Sequence, residues 1–97
     1  MFKAEWTEKV LDELNKLEPT ISSRIIKKID ELLIDPYSLN IKRLKGIDAF
    51  RLRVGDYRVI FEINASVILI LKVGHRRNIY KNWDLPRYDL VLPSISG

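Results

Sequence analysis

The sequence predicts an α+β domain in which an N-terminal strand and a helical hairpin pack on an antiparallel sheet, in the order β-α-α-β-β-β-α. Three observations carry this expectation. Apolar residues recur at helical spacing between Val10 and Leu33, the period shifts to two from Phe50 onward, and Gly55-Asp56 separates two alternating runs. Helices first and strands afterwards are the pattern of segregated layers, not of alternating βαβ units.

Each element has its own signal. Phe2, Ala4 and Trp6 alternate with Lys3 and Glu5, which is the period of a half-buried strand. Thr7 offers an oxygen to cap the first helix, Glu8 suits its positive first turn, and Val10, Leu11, Leu14 and Leu17 form its apolar stripe. Pro19 stops it. A second helix begins near Thr20 or Ser22, carries Ile21, Ile25, Ile26, Ile29, Leu32 and Leu33, and stops at Asp35-Pro36. So short a connection makes the two an antiparallel hairpin. Phe50, Leu52 and Val54 then face one way and Arg51 and Arg53 the other. After Gly55-Asp56, Tyr57, Val59, Phe61 and Ile63 alternate with Arg58, Ile60 and Glu62. Asn64-Ala65-Ser66 reads as a three-residue loop, and Val67 to Val73 is so continuously apolar that both its faces are covered. Beyond Gly74 a basic stretch leads into a short helix around Ile79, Tyr80 and Trp83, ended by Pro86, and residues 87–97 read as a loose tail or a docking arm.

Ninety-seven residues, 46% hydrophobic and 31% charged, make a single domain over 1–97, because chains divide into separate cores only well above this length. The absence of Cys excludes a disulfide framework, a thiolate metal site and a Cys nucleophile. With one His besides, neither a metal nor another cofactor is expected. The longest uncharged apolar run, Val67 to Leu71, is far short of the roughly 20 residues that span a bilayer. Met1-Phe2-Lys3-Ala4-Glu5 lacks the marks of a signal peptide, so the expected setting is cytoplasmic, with no membrane partner.

The net charge of +4 conceals an uneven distribution. Residues 1–40 carry a net −2, residues 41–81 a net +7 and residues 82–97 a net −1. Such a concentration suits a polyanion. Gly in the first place of a two-residue loop predicts a type II′ turn that pairs Val54 with Tyr57, Arg53 with Arg58, Leu52 with Val59 and Arg51 with Ile60. Two arginines then lie directly opposite, which destabilises by an amount comparable to the roughly 0.2–1 kcal/mol of a favourable pair. Folding alone does not select that arrangement. If the three-residue loop closes the second hairpin, Arg58 falls opposite Lys72, and Arg51, Arg53, Arg58, Lys72 and Arg76 form one basic patch on the face away from the helices. Ile60, Ile68 and Ile70 share that parity and need a cover. It is either the terminal segment, through Ile79, Trp83 and Leu85, or a separate protein.

The run Arg43-Leu44-Lys45-Gly46, the hairpin from Phe50 to Phe61 and the segment Val73-Gly74-His75-Arg76-Arg77-Asn78-Ile79-Tyr80 together resemble the RelE branch of the RelE/ParE toxin superfamily. The resemblance implies a toxin of a type II toxin–antitoxin pair that enters the ribosomal A site and cuts messenger RNA, the ribose 2′-hydroxyl attacking the adjacent phosphate. It also implies a RelB-like acidic antitoxin as partner. By position, Arg58 matches the phosphate-clamping Arg, Arg76 the Arg on the leaving-group side, and Tyr80 the terminal Tyr that orients or stacks on the substrate. Arg51 and Arg53 stand where the best-studied members carry two lysines, one of them a proposed base. Arg stays protonated, so it binds phosphate but serves poorly as a base. His75 is the patch's ordinary titrating group and a candidate acid or base, although its strand parity is that of Val73 and the core. Glu62 is the weaker candidate. Lys42, Arg43, Lys45, Lys72, Arg77 and Lys81 are the further cations expected to hold RNA. The ParE branch, which the resemblance gives as the alternative, shares the fold and inhibits DNA gyrase without cutting RNA.

Overall fold

The computed structural model describes residues 1–38, 41–44 and 48–79. In chain order these form β1 (Lys3–Trp6), α1 (Glu8–Asn15), α2 (Pro19–Ile34), a 3-10 turn (Pro36–Ser38), β2 (Ile41–Arg43), β3 (Phe50–Val54), β4 (Tyr57–Asn64) and β5 (Val67–His75). One five-stranded sheet runs β1-β5-β4-β3-β2. β1 is parallel to β5 and every other pair is antiparallel. β2 was not expected, since three residues are too few to show a period. The expected terminal helix falls largely outside the described residues, of which 76–79 form a turn. Trp83, Leu85 and the tail at 87–97 lie outside them as well. No helix among the described residues is long and apolar enough to cross a membrane.

Thr7 caps α1 as its residue type predicts, its Oγ1 accepting the Val10 N–H at 3.2 Å. α1 stops at Asn15, short of the expected end at Pro19, and Pro19 opens the next helix instead. It occupies the first position of α2, where the missing N–H has no partner to lose, so α2 starts one residue ahead of Thr20. Val10 and Leu14 of α1 and Ile25, Ile29 and Leu32 of α2 bury against Leu52, Val59, Phe61, Ile68, Ile70 and Val73 of the sheet. Leu11 and Ile26 do not join them. Each follows a buried residue by one position, about 100° round the helix at 3.6 residues per turn, and is 47% and 42% exposed respectively.

The first hairpin has the predicted register throughout, with Gly55 at φ +59° and Asp56 outside the positive region, the pattern of a type II′ turn. The second differs twice. Asn64 pairs with Val67, so the loop is two residues, and Ala65 takes the positive φ of +54°. Further along, Phe61 pairs with Ile70 but Ile60 with Lys72, leaving Leu71 as the extra residue of a β-bulge. Together these shifts set Arg58 opposite Gly74, not Lys72. The two-residue loop turns Ile68 and Ile70 to the helix-side core, as partners of Ile63 and Phe61, and the bulge beyond them returns Lys72 to the outer face. The aliphatic strip on that outer face consists of Ile60, Leu69 and Leu71, packed with Ala49 and Ile79. Ile79 is thus the described part of the expected cover. The distorted ladder is tied to α1, where Glu13 Oε1 accepts the Val73 N–H at 2.9 Å.

Candidate functional site

Residues directly paired across strands project from the same face, so the registers fix which cations gather. Lys42, Arg51, Ile60 and Lys72 form one row across β2, β3, β4 and β5 on the face away from the helices. Arg53, Arg58 and Gly74 form the next row. Five cations thus occupy two adjacent rows. Lys72 is only 7% exposed, and Arg51 Nε is shielded from solvent with no hydrogen-bond partner. A buried donor left unpaired is costly, about 1–3 kcal/mol.

Arg58 is held at the hairpin turn. Its Nη1 donates to the carbonyls of Gly55 and Tyr57, each at 2.9 Å. Arg76 arrives at the same turn from the other side. Its backbone N–H donates to Asp56 O at 2.7 Å and its Nε stands 3.5 Å from Asp56 Oδ1. Both side chains of that ion pair are half exposed or more, so it is weak and open to exchange for another anion. Gly74, the cross-strand partner of Arg58, gives its side-chain space to Ile79: a Cβ there would lie 3.2 Å from Ile79 Cδ1, so the glycine lets Ile79 close over the aliphatic strip.

Other candidates are placed elsewhere. His75 pairs with Tyr57, on the helix side of the sheet, and its ring meets the Tyr57 ring edge-on at 5.4 Å. Its Nδ1 accepts the Arg77 N–H at 3.1 Å, which ties the imidazole to the turn and not to the cationic rows. Arg43 pairs with Phe50, also on the helix side, and its Nη2 donates to Asp48 Oδ1 at 2.9 Å. Arg77 is exposed in the turn after β5. Lys45, Tyr80 and Lys81 lie outside the described residues. Glu62 is 5% exposed on the outer face; its Oε1 accepts from Asn64 at 3.4 Å while Oε2 bonds nothing. Burial pushes its carboxyl above the ordinary value of 4.5, the Asn64 bond opposes this, and Asp48 adds to it. Among the described residues no cluster of three His, Cys, Asp or Glu is placed to hold a metal ion. Sequence reasoning missed the cations of α2, Arg24, Lys27 and Lys28, whose i, i+3, i+4 spacing was the available signal.

Rows of guanidinium groups beside an aliphatic strip can bind a polyanion and clamp a phosphate bidentately. Residues 4–80 match the family described as ParE toxin of type II toxin-antitoxin system, parDE. The chain belongs to that toxin family. Proteins of the RelE kind are among those it is similar to. Toxin RelE3 of Methanocaldococcus jannaschii is 40% identical over 48 residues, which are 48% of this chain and 54% of that protein, so the match spans about half the relative's length. RelE in the archaeal RelE-RelB complex of Pyrococcus horikoshii OT3 is 30% identical with a TM-score of 0.68, over 77% of this chain and 94% of that one. The RelB-RelE complex of Methanococcus jannaschii gives 29% and 0.68, over 81% and 98%. This chain is therefore a RelE-like toxin of the superfamily, and the five-stranded sheet under two helices is the fold it shares with these structures.

Proposed function

We propose that this RelE-like toxin is a metal-independent endoribonuclease that cuts messenger RNA in the A site of the translating ribosome and so arrests translation. The observation that carries the reading is the meeting of Arg58 and Arg76 at the Gly55-Asp56 turn, next to the row of Lys42, Arg51 and Lys72. In the reaction the 2′-hydroxyl loses its proton and its oxygen bonds to the adjacent phosphorus. The 5′-oxygen of the next nucleotide departs and takes up a proton, leaving a 2′,3′-cyclic phosphate. Charge builds on the non-bridging oxygens, and fixed guanidinium groups stabilise it without reorganising. Arg58, anchored by two carbonyls, clamps those oxygens; Arg76, freed from Asp56, attends the leaving oxygen. Arg51 adds its positive charge beside the clamp, and Arg53 extends it. Proton removal at the 2′-hydroxyl falls to a group other than these arginines, which stay charged.

The partner we propose is a RelB-like acidic antitoxin that neutralises the cationic rows, in the cytoplasm where ribosomes work. RelB is bound to the toxin in the Pyrococcus and Methanococcus structures. A second reading, non-enzymatic inhibition of DNA gyrase, draws on the ParE description of the matching family. Toeprinting on translating ribosomes separates the two. Discrete cuts within the A-site codon are the expected result; intact message together with blocked gyrase supercoiling overturns the ribonuclease.

A further inference from the structure

A second concentration of positive charge lies away from the residues assigned to the reaction. Arg24, Lys27, Lys28 and Glu31 follow at i, i+3, i+4 and i+7, so they form one stripe along α2 beside the buried Ile25, Ile29 and Leu32. This stripe is one wall of an open groove of about 480 Å³ whose other wall is the end of β3, from Arg53 to Gly55. Among the described residues Glu31 is the single acid in the lining, and Lys28 Nζ already stands 3.4 Å from its Oε1. Arg24 reaches the hairpin itself, its Nη2 lying 3.5 Å from where a Cβ on Gly55 would stand. Arg53 connects the groove to the outer face. It lines the groove and is also the cross-strand partner of Arg58, and β2 pairs only with residues 50–52, so the ribbon beyond Leu52 has no outer strand among the described residues.

We infer that this groove holds the sugar–phosphate backbone of the single RNA strand that crosses the outer face, gripping phosphates beyond the one attacked. The inference rests on the RNA reading above and adds a second anchoring surface to it. Lining chemistry selects the ligand. Among the described residues five of the seven that line it are charged, and Val54 is the one apolar side chain. A disordered peptide that folds as it binds needs apolar anchors to offset its lost entropy. Phosphates need only cations along an open channel.

Fluorescence-anisotropy titration of the full chain with a short fluorescein-labelled single-stranded RNA, at a series of KCl concentrations, tests this. Arg24→Gln combined with Lys27→Gln is expected to weaken binding several-fold at low salt. It should also flatten the plot of log K against log salt by about 1.4, at about 0.7 for each phosphate no longer neutralised. Lys9→Gln combined with Lys16→Gln removes the same charge from exposed positions on and just beyond α1 and should keep the wild-type slope. An unchanged slope in the first variant, equal losses in both, no RNA binding by the wild type, or a loss seen only with an acidic peptide probe overturns the inference. The readout is binding, not cutting. A wild type that binds with the expected slope but leaves ribosome-bound message intact refutes the ribonuclease while the groove stands.

Discussion

Arg58 is fixed at the turn: Nη1 of its guanidinium donates to the Gly55 and Tyr57 carbonyls, and the group as a whole is a planar fork of donors. Lysine keeps the charge but loses the fork. Arg58→Lys should therefore lower the rate of message cleavage by about 10²-fold, the low end for losing one preorganised donor, with little change in Tm; single-turnover cleavage on programmed ribosomes measures it. Glu62 yields a pH prediction. Its folded carboxyl titrates above 4.5, so between the unfolded and folded values the native state holds a proton that the unfolded chain has released. Stability therefore falls as pH rises through that window and is highest below it. Glu62→Gln should remove this slope and raise Tm at pH 7, the two proteins converging below pH 4.5 in thermal melts. The residues facing each other across the first hairpin were legible because Gly55-Asp56 fixes their pairing. Arg51's unpaired nitrogen was not, since no pattern in the chain tells which donor lacks a partner.

Among the elements, the bulge of β5 decides where the site sits. With Ile68 and Ile70 already turned toward the helices by the two-residue loop, skipping Leu71 turns Lys72 toward Arg51, which reconciles an aliphatic strand with a cationic row. Uninterrupted alternation puts Ile68, Ile70 and Lys72 on one face. The sequence carries no mark of the bulge, because Ile68-Leu69-Ile70-Leu71 offers four residues of nearly equal hydrophobicity and no glycine. The second turn was hidden for a related reason, with Ala65 and not glycine at the positive φ. Glu13 stabilises this irregular segment by accepting the Val73 N–H. Glu13→Ala should cost about 1–3 kcal/mol by leaving that donor unpaired, whereas Glu13→Gln keeps an acceptor and should cost less. Urea denaturation measures both, and equal costs would remove the hydrogen bond from the explanation.

Over the whole molecule, chemistry is divided between the faces of one sheet. The helices bury one face, while the other presents cations around a small aliphatic strip that Ile79 covers. The charge imbalance of the second half of the chain foretold that division; the unexpected β2 completes it by adding Lys42 to the row. Asp56 engages Arg76 through a half-exposed and therefore weak contact at the edge of this face. The most direct test of this account is the chemistry of the ends produced when the toxin meets ribosomes stalled with an occupied message. The wild type should leave 2′,3′-cyclic phosphates at A-site codons in the presence of a chelator, and Arg58→Ala should leave almost none. Uncut message from the wild type, or undiminished cutting by Arg58→Ala, would contradict it.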